Sequence, residues 1–184
     1  LLQLLHIKFL QVSDEVLPHL VKAEAADDRP EAVVAYELSP ADRFLVVTTT
    51  FTNRSQNPLT VPLEDEFRAD GGKEDMVRSP DGSGNRFWLD DRYWGQAYGI
   101  DTADIGMQLT SDQRTTNIKY TGDAGVSEIT LPPGQSFRLK RRLYPAAHAV
   151  EVHAIAADLK PSNSSTLQLA VKNKRNRPIE RARI

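Results

Sequence analysis

Apolar and polar residues alternate along much of this chain, and the alternation is clearest between Phe44 and Asn53. Val46, Val47, Thr48, Thr49, Thr50 and Phe51 are strong strand formers, and Leu45, Val47, Thr49 and Phe51 fall on one face of a period-two strand. A second run places Phe137, Leu139, Arg141 and Leu143 opposite Arg138, Lys140, Arg142 and Tyr144. That run turns Arg141 toward the interior, where it needs a buried partner or a bulge in the strand. Weaker alternation marks strands at Ala32–Leu38, Leu59–Val61 and Val126–Leu131, with short ones around Phe67 and Val77. Val150, Val152 and Ala154 read as another strand, and Leu167, Leu169 and Val171 as the last. The segment from Gly95 to Asp112 has no clear period and predicts at most a helical turn near Ala103. From Leu1 to Ala26, apolar residues at loosely helical spacing are interrupted by Pro18, which leaves helix and strand both open.

Turn residues separate these runs. Ser39-Pro40-Ala41-Asp42, Asn53-Arg54-Ser55-Gln56-Asn57-Pro58, Pro132-Pro133-Gly134 and Pro161-Ser162-Asn163-Ser164-Ser165 each break an extended segment. Many strands with few helical stretches predict an all-β, antiparallel sandwich. The expected organisation is an N-terminal extension over 1–30, a β-sandwich over 31–172 and a basic tail over 173–184. The Val46 and Leu139 segments are expected to face each other across two stacked sheets.

With 184 residues, 40% hydrophobic, the chain suits one medium domain with extensions. A formal net charge of -2 makes the whole molecule no magnet for nucleic acid. There is no cysteine, which excludes disulfides, zinc–thiolate sites, iron–sulfur clusters and cysteine nucleophiles. A cysteine-free chain fits a bacterial cytoplasm or periplasm better than a small eukaryotic secreted domain. No run approaches the ~20 apolar residues that span a bilayer. The apolar start Leu1-Leu2-Gln3-Leu4-Leu5 reads as the stub of a removed signal or upstream helix, with possible membrane proximity, or as a first element packed on the domain.

Two segments resemble a known kind of domain. One is Phe44 to Asn53, closing on Ser55 and followed by Asn57-Pro58-Leu59-Thr60-Val61. The other is Ile129-Thr130-Leu131-Pro132-Pro133-Gly134-Gln135-Ser136-Phe137, running on to Leu143-Tyr144-Pro145. Together they resemble the telokin-like, immunoglobulin-fold domains of bacterial exported proteins and lipoproteins. The resemblance implies an immunoglobulin-like sandwich in an extracytoplasmic (periplasmic or envelope) accessory or structural role. It carries no catalytic residue to transfer and implies no cofactor.

Catalytic signatures are missing from the sequence. The histidines His6, His19, His148 and His153 form no metal-binding pair, and a surface or capping role suits them. There is no Gly-x-Ser-x-Gly elbow, phosphate-cradling loop or dinucleotide fingerprint. Asp81-Gly82-Ser83-Gly84-Asn85 offers oxygens but no calcium-loop pattern, so a solvated loop is expected there and no metal. The most unusual feature is aromatic: Phe87, Trp88, Tyr93, Trp94 and Tyr98 hold both tryptophans of the chain, interleaved with Asp90, Asp91 and Arg92. Trp88, Tyr93, Trp94 and Tyr98 are the candidate binding residues, for a protein partner or for a glycan stacked on flat rings. One tryptophan filling the sandwich core is the competing expectation. Lys172, Lys174, Arg175 and Arg177 form a basic tail suited to an acidic partner or lipid headgroups. Without interleaved aromatics that tail is a poor nucleic-acid binder. The expected function is therefore a non-catalytic protein-interaction or structural subunit, with a carbohydrate-binding module as the alternative.

Overall fold

The structure, a computed structural model, describes residues 19–23, 28–40, 42–68, 76–112, 114–122 and 125–159, together with the single positions 172, 174 and 177. The start at Leu1–Leu5, His6, the acidic stretch around Gly71-Gly72, the loop at 161–165, the strand read at Leu167–Val171 and Arg175 lie outside the described residues.

The chain forms strands β1 (His19–Ala23), β2 (Glu31–Glu37), β3 (Leu45–Thr52), β4 (Leu59–Pro62), β5 (Glu64–Arg68), β6 (Met76–Arg78) and β7 (Gly82–Gly84). It continues with β8 (Arg86–Asp91), β9 (Gln96–Asp101), β10 (Gly106–Ser111), β11 (Thr115–Thr121), β12 (Glu128–Leu131), β13 (Ser136–Ala146) and helix α1 (Ala149–Leu159). Seven strands make one antiparallel sheet in the order β1-β2-β3-β13-β9-β8-β6. Facing it are a four-stranded sheet, β5-β11-β10-β7, and a two-stranded one, β12-β4. Leu63 joins these last two: its N–H donates to the Ser127 carbonyl and its own carbonyl accepts the Tyr120 N–H, both at 2.8 Å.

The main core fills the space between the layers. Ala32, Phe51, Phe87, Leu89, Ile100 and Leu139 come from the large sheet, and Val61, Leu63, Met107, Leu109, Ile118, Tyr120 and Leu131 from the layer opposite. The result is a two-layer antiparallel β-sandwich, as the alternation and the scarcity of helix predict. A smaller core lies on the outer face of the large sheet, where Val152, Ile155 and Ala156 of α1 cover Ala97 and Tyr144.

Both strongly alternating segments are strands with the expected faces inward: Val47, Thr49 and Phe51 are buried on β3, and Leu139 and Arg141 on β13. Their mutual placement differs from the expectation. β3 and β13 are hydrogen-bonded neighbours in one sheet, with Leu139 opposite Thr49 and Phe137 opposite Phe51. Alternation records which face of a strand is buried but says nothing of which strand lies beside it. The bonds that bring the two together close their shared end: Asn53 N–H to the Gln135 carbonyl at 3.0 Å and Gly134 N–H to the Asn53 carbonyl at 2.9 Å. Pro133 and Gly134 (φ 76°) form the turn that allows this.

Two further readings are corrected. The segment holding Val150, Val152 and Ala154 is helix α1, because Val152, Ile155 and Ala156 recur at helical spacing toward the sheet while Val150 is exposed. Near Ala103 the chain bends without a helical turn. At its start, His19–Ala23 is a strand at the edge of the large sheet, paired with β2.

Candidate functional site

The aromatic segment forms the β8–β9 hairpin, and its register explains where each ring goes. Trp88 lies opposite Gly99 and Leu89 opposite Tyr98, so Trp88 and Tyr98 point to opposite faces of the sheet. Trp88 turns to the outer face and meets His153 of α1 edge-on, with ring centroids 5.4 Å apart. Tyr98 turns inward, half-buried, with its ring 5.9 Å from that of Phe67. Its hydroxyl donates to the Gln96 side chain, and burial first, then the Asp91 carboxylate, raises its pKa. The large side chain that fills the main core from this segment is Phe87, fully buried, and neither tryptophan does so.

Tyr93 and Trp94 sit in the four-residue turn between the strands, 63% and 60% exposed. Their rings meet edge to face, 5.0 Å apart with an 86° interplanar angle. The Asp91 carboxylate accepts the Trp94 N–H at 3.3 Å and ties the turn to the end of β8. The structure thus brings two of the four candidate aromatics together in solvent and spends the other two on packing.

On the hairpin strands, two carboxylates are held by partners. Asp90 accepts the Ala149 N–H at 3.1 Å, at the start of α1. Asp101 receives both arms of the Arg142 guanidinium, Nε at 2.7 Å and the second nitrogen at 3.0 Å. On the opposite face of β13, Arg141 is 7% exposed. It finds the partner its inward position demands: one nitrogen donates to Asp65 at 2.6 Å and another to Thr49. Tyr120 also donates to Asp65 at 2.6 Å, and burial together with that carboxylate pushes its own pKa well up.

Lys172, Lys174 and Arg177 of the basic tail are exposed. Asp81 to Asn85 is partly a strand, with Gly82, Ser83 and Gly84 paired to Leu109, Gln108 and Met107. Among the described residues no three His, Asp or Glu side chains converge as a metal site would require, and no helix is long and apolar enough to cross a membrane. One open groove of about 420 Å³, lined by Arg68, Asp112, Arg114 and Thr115, was not singled out by the sequence. Its residues come from two strands and a turn, and no linear motif connects them.

No protein-family model matches the chain, and no curated protein matches it significantly. Similarity appears among solved structures. A TPR-domain containing protein from Parabacteroides distasonis is 13% identical over 90% of this chain, with a TM-score of 0.57. A galactose mutarotase-like protein from Lactobacillus casei is 11% identical over 74% of this chain and 72% of its own, at a TM-score of 0.47. The chain spans only 38% of the Parabacteroides protein. What this chain shares with that longer protein is a fold, the two-layer antiparallel β-sandwich.

Proposed function

We propose that the chain is a non-catalytic protein-interaction or structural accessory unit of a bacterial envelope or periplasmic assembly, meeting its partner through the end of the β8–β9 hairpin. The observation that carries this reading is the Tyr93–Trp94 pair. Aromatic side chains bury roughly 150–250 Å² each on contact, and tyrosine and tryptophan dominate interface hot spots. Here they are exposed in water on a short turn whose flanking strands are anchored by Phe87, Leu89 and Ala97, all buried. A rigid anchor loses little entropy when a partner closes over it. The immunoglobulin-like and telokin-like character suggested by the Phe44 and Ile129 segments belongs to the same proposal: a sandwich platform whose end loops make the contacts. The basic tail around Lys172, Lys174 and Arg177 would add charge to that contact, with membrane proximity through the N-terminal segment.

The test is recovery of a partner from the native source by the parent chain and by Tyr93→Ser/Trp94→Ser. A specific companion that is retained by the parent and lost from the double variant supports the proposal. Equal recovery by both chains overturns it.

Carbohydrate binding by the same rings is the second reading. It draws on two flat aromatic faces in solvent beside the Asp91 carboxylate and the Gln96 amide. Titration with mono- and oligosaccharides would quench or shift Trp94 fluorescence in that case, and an unchanged spectrum would exclude it.

A further inference from the structure

Exposed apolar side chains gather at one edge of the large sheet. Among the described residues, five large apolar side chains stand out in solvent: Val77, Tyr93, Trp94, Val126 and Val150. All but Val126 surround the end of β8. Val77 on β6 is the register partner of Asp90, so their side chains share the outer face. Asp90 accepts the N–H of Ala149, the residue before Val150, and its neighbour Asp91 accepts the N–H of Trp94. Val77, Val150 and the Tyr93–Trp94 turn are therefore parts of one patch around these two buried aspartates.

β6 is also the last strand of the seven-stranded sheet. β8 takes one side of it, and among the described residues no strand takes the other. An open sheet edge pairs with other strands unless charge, proline, a bulge, a cover or short length prevents it. Of these devices β6 has only its shortness. Met76 and Arg78 turn inward and are half-buried, Met76 against the main core and Arg78 toward the Asp112 carbonyl. The one side chain that β6 turns outward is Val77, 37% exposed and uncharged.

We propose that this edge is the contact between two copies of the chain, with β6 pairing antiparallel to the partner's β6 about a two-fold axis at Val77. The inference rests on the reading of the Tyr93–Trp94 turn as a contact surface and names what it contacts. Self-complementarity favours a second copy, since a two-fold contact sets residue i against j and j against i. With Val77 on the axis, Met76 lies opposite the partner's Arg78, and the level one residue beyond Met76 meets the partner's Ser79. Met76 is the register partner of Asp91, so Arg92 stands at that level, two strand spacings or about 10 Å from the partner's strand. Next along that strand come the partner's Pro80 and Asp81, both exposed. The Arg92 and Asp81 side chains together span the gap, and the axis makes the ion pair twice. Among the described residues neither has an ion-pair partner within its own chain. Tyr93 and Trp94 close over the partner's Pro80, while Val150, Val77 and their copies form one apolar row on the outer face. Four partly exposed rings bury on the order of 400–600 Å², which suits a modest dimer with Kd on the order of 10 µM.

The experiment is sedimentation equilibrium of the full chain from about 1 to 300 µM, where a reversible monomer–dimer equilibrium is expected. Val77→Lys puts two like charges on the axis and is expected to raise Kd at least about tenfold. Arg92→Asp is expected to raise it about tenfold, and Arg92→Asp combined with Asp81→Arg to bring it back to within about threefold of the parent. All three positions are exposed, so the fold stays out of the readout. In the parent, amide exchange across Met76–Arg78 slows as concentration rises, which reports the edge itself and needs no variant. A parent that is monomeric at about 300 µM overturns the proposal. A dimer indifferent to Val77→Lys, or a charge swap that restores nothing, overturns it as well. A monomeric parent that still loses a different companion on Tyr93→Ser/Trp94→Ser removes only the second copy and leaves the hairpin reading standing.

Discussion

Asn53 closes the clearest strand of the sequence and was legible there as a turn residue. Its larger role lies in its side chain, which is completely buried. The amide nitrogen donates to the Leu131 and Asn57 carbonyls at 2.8 Å, and the amide oxygen accepts the Ser55 N–H and hydroxyl, also at 2.8 Å. One residue thereby satisfies its own turn and ties it to the end of β12, a strand far away in sequence. Asn53→Ala takes the side-chain donor from the Leu131 carbonyl and the acceptor from the Ser55 N–H, while the Asn57 carbonyl keeps the Ser55 hydroxyl, and it is expected to cost about 2–4 kcal/mol in urea unfolding. Ser55→Ala, which removes only the outer hydroxyl, is expected to cost about 1 kcal/mol or less. If the two variants lose equal stability, Asn53 is only a turn former.

At the scale of elements, α1 shows how a helix is started by local chemistry. The His148 ring accepts the Glu151 N–H at 3.2 Å, and the Glu151 carboxylate accepts the Ala147 N–H at 2.9 Å. The pattern is like a capping box with His148 as the cap, shifted by one residue because the carboxylate reaches the Ala147 N–H, and it gives His148 the capping alternative of the surface or capping role read for the histidines. The Ala147 N–H first, with Arg43 and His148 adding to it, holds the Glu151 carboxyl below its ordinary pKa. A carboxyl with a lowered native pKa binds fewer protons folded than unfolded, so its stabilising effect is present above the unfolded pKa and fades as pH falls through the native one. The parent is therefore expected to lose more stability than Glu151→Gln between about pH 6 and pH 3, as read from urea midpoints. Parallel curves would show that the carboxylate contributes nothing to the start of α1. The helix itself was hidden in the sequence because Val150, Val152 and Ala154 mimic a period of two over a stretch too short to arbitrate. β11 was missed for another reason: Thr116, Ile118 and Tyr120 alternate as a strand should, but threonine and tyrosine dilute the apolar signal.

At the scale of the molecule, the two layers are joined through the core by Arg141 and Asp65, whose side chains are 8% and 10% exposed. The pair spans from β13 in the large sheet to β5 in the facing one; Tyr120 adds a hydrogen bond to Asp65 and Thr49 accepts one from Arg141, whose buried Nε alone has no partner. Breaking such a pair on one side leaves a charge uncompensated in low dielectric, which typically costs about 3–5 kcal/mol. Arg141→Met and Asp65→Leu are each expected to destabilise by that order, and the double variant by clearly less than their sum. A coupling below about 0.5 kcal/mol in the double-mutant cycle would show that the two sheets are held by apolar packing alone.

The sequence by itself determined the class of fold and much of its inner face. Period-two alternation marks buried faces directly, so β3, β13 and the inward turn of Arg141 could be read from single segments, as could the turn at Pro133-Gly134. The need for a partner to Arg141 was likewise legible, since a buried charge must be compensated wherever it lies. Tertiary structure decided what depends on two segments at once. Pairing β3 with β13 side by side, choosing Asp65 from an acidic stretch beside the short strand read around Phe67, and sending Trp88 and Tyr98 to opposite faces all follow from register between strands. Local alternation is blind to the choice of neighbour, because any pairing that keeps the apolar faces on one side buries the same residues, and only packing against the whole core selects one.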